Sequence, residues 1–156
     1  ANASLSRAPM HAFTSDEFKA IHRHLFGDVY AWAGQVRDYA TGRGDAPFCL
    51  PEYIDANLDK IFAEIMAADG FRNVTREGFA ACAAAAINEI NAVHPFIEGN
   101  GRVSREFLKD LAERAGHPID LARLVRETWY PAAAEGFARS NNTPMRDCVL
   151  AALRDS

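Results

Sequence analysis

The chain has few cysteines, no long apolar run and no surplus of positive charge, and each shortage excludes a class of protein. Its three cysteines, Cys49, Cys82 and Cys148, are odd in number and far apart. Neither a disulfide framework nor a zinc cluster reads from that spacing, and a reducing cytoplasm is the simplest home. No apolar stretch approaches the roughly 18 residues that a membrane-crossing helix needs. The opening ANASLSRAPM lacks the basic end and apolar centre of a secretory signal. Seventeen basic against 21 acidic residues give a net charge of −4, opposite in sign to the basic footprint of a nucleic-acid binder. Any anion held here must be gripped locally. Repeats, low-complexity tracts and linkers are missing too, so the sequence reads as a single domain over 1–156, with a core at about 14–120 and C-terminal helices over 121–156.

Hydrophobic residues make up 49% of the 156 positions, enough for a substantial core, and their spacing is mostly helical. Thr14 can cap a helix with Glu17 reaching back, Phe13 and Phe18 closing a hydrophobic staple across the same turn. The helix keeps its period through Ile21 and Leu25 to Gly27, and Val29 to Gly34 packs as an irregular segment. Between Gln35 and Leu50 the pattern changes. Gln35–Tyr39 and Phe48–Leu50 flank the Gly-rich turn Thr41–Asp45, which predicts a small hairpin or flap.

Ile54, Leu58, Ile61, Phe62 and Ile65 trace a second helical face that ends near Gly70. Thr75 caps a third helix, with Phe79, Cys82, Ala83, Ala86, Ile87 and Ile90 on one stripe. The small side chains of 81–86 predict close approach to neighbouring helices and a central position. His94-Pro95 stops this helix, because proline disfavours helical geometry in the residue before it. Val103, Phe107, Leu111 and Ala115 define the next, closing at Gly116. Shorter helices are predicted over Ile119–Arg126, over Ala132–Ala138, and after a Thr143 cap with Pro144 in the first turn. The fold class is all-α, a compact helical bundle with a small β-hairpin flap.

Chemistry concentrates in His94-Pro95-Phe96-Ile97-Glu98-Gly99-Asn100-Gly101-Arg102-Val103-Ser104-Arg105, between two predicted helices. Gly99 and Gly101 free the backbone to turn its N–H groups toward one point, and the next helix adds its positive end. Phosphate is the natural guest of such a nest. Arg102 and Arg105 lie three apart on one helical face, and their forks suit phosphate oxygens. Glu98 is a hard oxygen ligand, and Mg²⁺ typically binds through one or two carboxylates plus substrate phosphates. His94, with an ordinary imidazole pKa of about 6.5, can accept a proton from a hydroxyl nucleophile.

This segment resembles the signature of Fic-domain proteins, H-x-F-x-[DE]-G-N-G-R-x-x-R, at every specified position. Ile21-His22 through Leu25-Phe26, Tyr30 and Trp32-Ala33-Gly34 are similar to that family's early region, and Arg43-Gly44 through Phe48 resembles its flap. The resemblance implies the all-helical Fic fold and transfer of AMP from ATP, with Mg²⁺, to a Ser, Thr or Tyr hydroxyl of a target protein. Carried over, it implies His94 as the base, Glu98 as the metal ligand, Gly99, Asn100 and Gly101 as the anion loop, and Arg102 and Arg105 as phosphate holders. Phe96 would anchor the loop in the core, and Arg43 and Gly44 would approach the nucleotide from the flap. Pyrophosphate would leave, and the flap would pin the target segment as an added strand.

The chain departs from the family in one respect. Many members are restrained by a helix bearing [ST]-x-x-x-E-[GN], yet the residues four before the glutamates of Glu77-Gly78, Glu98-Gly99 and Glu135-Gly136 are Asn73, His94 and Pro131. The expectation is therefore a restraining antitoxin chain or a segment outside this sequence, and delivery into a host cell stays open. Two alternatives remain: transfer of a phosphoryl or other nucleotide-derived group, and a catalytically silent nucleotide-binding module. A glycine at 101, where a phosphoryl-transferring branch carries lysine, favours AMP.

The remaining candidates read as structural. His22 and His24 point in different directions on one helix and are assigned to packing or surface. His11 and His117 have no partner at a useful spacing. Cys82 reads as a small core residue, Cys49 lacks an adjacent base, and Trp32, Trp129 and Tyr130 read as core before base pocket. Charges elsewhere read as solvated helix faces.

Overall fold

A computed structural model describes residues 7–155. Helix α1 spans Ser15–Phe26, and its start follows the sequence prediction: the Thr14 hydroxyl accepts from the Glu17 N–H. The Glu17 carboxylate does more than a simple capping box. It accepts from the backbone N–H groups of His11, Ala12 and Phe13 at 2.9, 2.9 and 2.6 Å, folding the preceding turn over the helix end and holding its own pKa below the usual range against the opposing effect of burial. Helices α2 (Ile54–Ala67), α3 (Arg76–Val93) and α4 (Asn100–Ala115) follow the predicted periods.

Helix α3 runs through the centre. Ala80, Ala83, Ala84 and Ile87 are fully buried on it, and it packs against α2, α4, α5 (Arg126–Arg139) and α6 (Thr143–Ala152). Alanine surfaces let several helices approach one axis closely, as their size implied. An aromatic cluster of Phe13, Phe18, Phe62, Phe96 and Phe107, with ring centroids 5.5–6.1 Å apart, fills the space between α1, α2 and α4.

Four local expectations change. The hairpin is smaller than predicted: β1 (Gly42–Arg43) pairs antiparallel with β2 (Ala46–Pro47) through two residues each. Beyond the Phe48 N–H bond to the Thr41 carbonyl, the flanking segments bond to α3 and the loop after it, Cys49 N–H to the Ala92 carbonyl and Arg37 N–H to that of Pro95. The helix predicted over Ile119–Arg126 is one 3₁₀ turn at Leu121–Arg123, and Ile119 forms a bridge with Leu153. Helix α5 begins at Arg126 and carries Pro131 inside it, so it is longer than the predicted Ala132–Ala138. Thr143 is the first residue of α6, and Asn142 takes the cap position.

Not every charge lies on a solvated face. Glu106 and Asp110 of α4 are buried and clasp Arg7 at 3.0 and 2.7 Å, with the Met10 N–H donating to Asp110 at 2.8 Å. Pairing and hydrogen bonding make that burial tolerable.

Candidate active site

The loop between α3 and α4 is held from below, from one side and from within. His94 ends α3 in the left-handed region, φ 49° and ψ 64°, with its N–H on the Ile90 carbonyl. Gly99 caps α4 at φ 84°, and a Cβ there would lie 2.4 Å from Phe26 Cε2. Both conditions require glycine. The first N–H groups of α4 have no intrahelical acceptor, and they lie at the positive end of the helix.

Asn100 closes the loop on itself. Its Oδ1 accepts from Phe96 N–H at 2.9 Å, and its Nδ2 donates to the Phe96 carbonyl at 2.8 Å while standing 3.4 Å from His94 Nε2. The His94 ring stacks on Phe48 at 4.0 Å with 9° between planes. Facing a donor, Nε2 is the lone-pair nitrogen of the neutral ring. Burial, then the positive charges of Arg37 and Arg43, push the imidazole down to about 4, so it is neutral at physiological pH.

Arg37, which sequence reasoning left unassigned within a flap strand, is 1% exposed. It donates to the carbonyls of His94 and Tyr39 at 2.7 Å each, to that of Val93 at 3.0 Å, and to that of Cys49. The guanidinium thus caps the negative end of α3 and ties the flap to it. Burial lowers its own pKa.

His22, which reads in the sequence as a packing or surface residue, is fully buried and hydrogen-bonds the Glu98 carbonyl of the loop. Its Nδ1 accepts from Gly34 N–H at 2.9 Å, which leaves the proton on Nε2 to donate to the Glu98 carbonyl at 2.9 Å. Burial lowers its pKa, and the ring stacks on the buried Phe96 at 4.1 Å. No local signal marks this role, since the partners are 12 and 76 residues away. The Glu98 carboxylate is exposed and accepts from Tyr30 Oη at 2.7 Å. That bond is the main cause raising the Tyr30 pKa. Tyr30 stacks on Trp32 at 4.2 Å, which places Trp32 on the Glu98 side of the loop.

Beside His94 lies a cavity of about 80 Å³ lined by Arg43, Phe48, Asn91, His94, Asn100, Gly101 and the α5 side chains Trp129, Tyr130, Ala133 and Phe137. Arg105 lies over the Trp129 ring at 5.7 Å and interacts with Tyr130, and its Nη1 is buried with no hydrogen-bond partner among the described residues. Arg102 lies over Phe26 at 5.7 Å. Gly44, at φ 60°, forms the exposed tip of the hairpin and does not line the cavity. Among the predicted residues, the fold thus brings His94, Asn100, Gly101 and Arg43 to one cavity, with Arg105 against its Trp129 wall. His117 instead pairs with the Val74 carbonyl at 2.8 Å, away from this site.

The fold is a helical bundle that sets a glycine turn at a helix start beside a neutral imidazole, with Arg43 and the hairpin residue Phe48 on the wall of the same cavity. Residues 12–112 match the Fic/DOC family, and the chain belongs to it. It is 43% identical over 122 residues to a probable protein adenylyltransferase, y4lH, of Sinorhizobium fredii, and 36% identical over 125 residues to the protein adenylyltransferase VbhT of Bartonella schoenbuchensis. The matches cover 78% and 80% of this chain but 64% and 26% of those proteins. In three dimensions it resembles the N-terminal Fic domain of a putative cell filamentation protein from Bartonella quintana, solved with bound ADP. The TM-score is 0.88 at 26% identity, over 99% of this chain and 81% of that one. Among the described residues no helix is long and apolar enough to cross a membrane.

Proposed function

We propose that this chain is a protein adenylyltransferase that moves AMP from ATP to a Ser, Thr or Tyr hydroxyl of a target protein. The observation that carries the reading is the juxtaposition of the lone-pair nitrogen of His94 with the α4 turn and with the buried Arg105 Nη1, which has no hydrogen-bond partner among the described residues. An orphaned buried cationic donor is costly unless a ligand satisfies it, and a phosphate oxygen does so with its own charge. The adenylyltransferase names of the two relatives and the ADP in the Bartonella quintana domain support the same reading.

In this mechanism the Gly99–Gly101 backbone, Arg102 and Arg105 hold the triphosphate, and pre-positioning supplies most of the rate. His94 Nε2 takes the proton of the target hydroxyl. The oxygen bonds to the α-phosphorus, the bond to the bridging oxygen breaks, and pyrophosphate leaves. Glu98 fits as the protein ligand of Mg²⁺: the Tyr30 bond orients one carboxylate oxygen and leaves the other open. Among the described residues no three His, Cys, Asp or Glu side chains converge, so phosphate oxygens would complete the coordination. Bound there, the ion would neutralise phosphate charge. Arg43 would reach the nucleotide from the flap, whose open β edge would pair with the target backbone. The [ST]-x-x-x-E-[GN] pattern does not occur within these 156 residues, so restraint would come from a separate antitoxin chain or from a segment outside this sequence.

The test is incubation of a lysate with Mg²⁺ and ATP labelled at either the α or the γ phosphate. Label should reach a protein from the α position only and vanish with His94→Ala. Transfer from the γ position, or full labelling by His94→Ala, would overturn the assignment.

A further inference from the structure

A separate groove of about 510 Å³ lies between the segment that follows β2 and the helices α2 and α3. Phe48 lines both this groove and the His94 cavity, and Val93 on its wall is the residue before His94. The groove therefore begins beside the base. A smaller space of about 240 Å³ shares Ile61, Glu64 and Glu89 with it and carries it on along α2 and α3 toward Phe71. At the flap end Leu50 and Tyr53 are 47% and 56% exposed. Large apolar side chains left in water beside a cavity mark an interaction surface.

The charges on the walls narrow the occupant. Glu64 from α2 and Glu89 from α3 line both spaces. Burial raises the Glu89 pKa and the charge of Glu64 raises it further, with Lys60 opposing them. A cation entering between the carboxylates relieves that repulsion. The apolar floor suits the aliphatic stem of a lysine or arginine, and an exposed ring such as Tyr53 attracts its charged head. Glu89 precedes His94 by five residues, about 7.5 Å along a helix axis. An extended chain covers that length in two or three residues at about 3.3 Å each.

We propose that this groove selects the target protein: it takes the stretch of an extended target segment that continues past the flap, and Glu64 and Glu89 hold a lysine or arginine two or three residues from the hydroxyl that accepts AMP. This rests on the transferase reading above. It adds side-chain selectivity that backbone pairing at the flap edge does not supply.

Fluorescence anisotropy on the full chain tests it. The probes are tagged eleven-residue peptides with a central Ser, Thr or Tyr in a Gly-Thr-Val background, a single Arg or a single Glu being moved along them. Arginine two or three positions from the centre, on one side, should bind about fivefold more tightly than glutamate at the same place. The preference should vanish in Glu64→Gln with Glu89→Gln and reverse in Glu64→Lys with Glu89→Lys. Calorimetry with the non-hydrolysable analogue AMPPNP should give wild-type affinity in both double variants, which also shows that they fold. Equal binding of the Arg and Glu peptides by wild type, or a preference that survives the Gln variant, would overturn the proposal and leave the transferase reading intact. Self-association in sedimentation velocity that the Lys variant abolishes, without peptide binding, would assign the groove to a second copy and also overturn it. A wild-type chain that prefers arginine but binds no AMPPNP would remove the transferase reading and the target role of the groove with it.

Discussion

Replacing Arg37 by methionine keeps the bulk of the side chain and removes every donor. Four carbonyls, those of Tyr39, Cys49, Val93 and His94, lose their partner, and each buried acceptor left bare costs about 1–3 kcal/mol. Part of that is recovered, because a guanidinium that is 1% exposed was itself desolvated and water can reach the outer carbonyls. The net expectation for Arg37→Met is a loss of about 3–5 kcal/mol. With a urea slope of about 2 kcal/mol per molar, the unfolding midpoint falls by roughly 2 M. A second readout follows from charge. Arg37 is one of the two cations that hold the His94 pKa down, so an NMR titration should find the ring above about 4 in Arg37→Met. Arg37→Lys separates the effects, since it keeps the charge but not the planar fork. Its midpoint should fall while the His94 pKa stays depressed. A midpoint shift under about 0.5 M with an unmoved His94 titration in Arg37→Met would refute the clamp.

Two further expectations concern the same loop. In the unfolded chain His94 takes a proton near pH 6.5, whereas the folded ring resists until about 4. Its contribution to stability is therefore complete above about pH 6.5 and is lost as pH falls through about 4. A pH series of Tm for wild type and His94→Gln should converge toward acid, and parallel curves would count against it. Gly99→Ala combines a left-handed φ of 84° with a Cβ only 2.4 Å from Phe26, while Gly116→Ala has the same φ with open space around it. The first should cost about 2 kcal/mol or more, a Tm drop of about 4–8 °C. The second should cost about half that, and equal drops would show that Phe26 yields freely.

What was legible in the sequence was what is local. The Thr14 cap, the alanine surface of α3, the stop at His94-Pro95 and the 94–105 loop depend on residues within a turn or two of one another. The nest follows from two glycines and a helix start, so composition alone marked it. Arg37 and His22 escaped because their surroundings come from elsewhere in the fold. Arg37 bonds His94 across 57 residues and His22 bonds Glu98 across 76. The flap was overestimated for the same reason. Gln35–Tyr39 and Phe48–Leu50 do not pair as strands; Arg37 and Cys49 donate instead to carbonyls around the end of α3.

An open β edge invites other copies to stack onto it and polymerise, which is why long flat edges are hazardous. The hairpin keeps only two residues on each strand, and all four are exposed. Pro47 offers no N–H to a neighbour, and the charges of Arg43 and Asp45 repel an in-register copy. The rim can therefore stay open to a passing extended segment without stacking copies of the molecule into fibres.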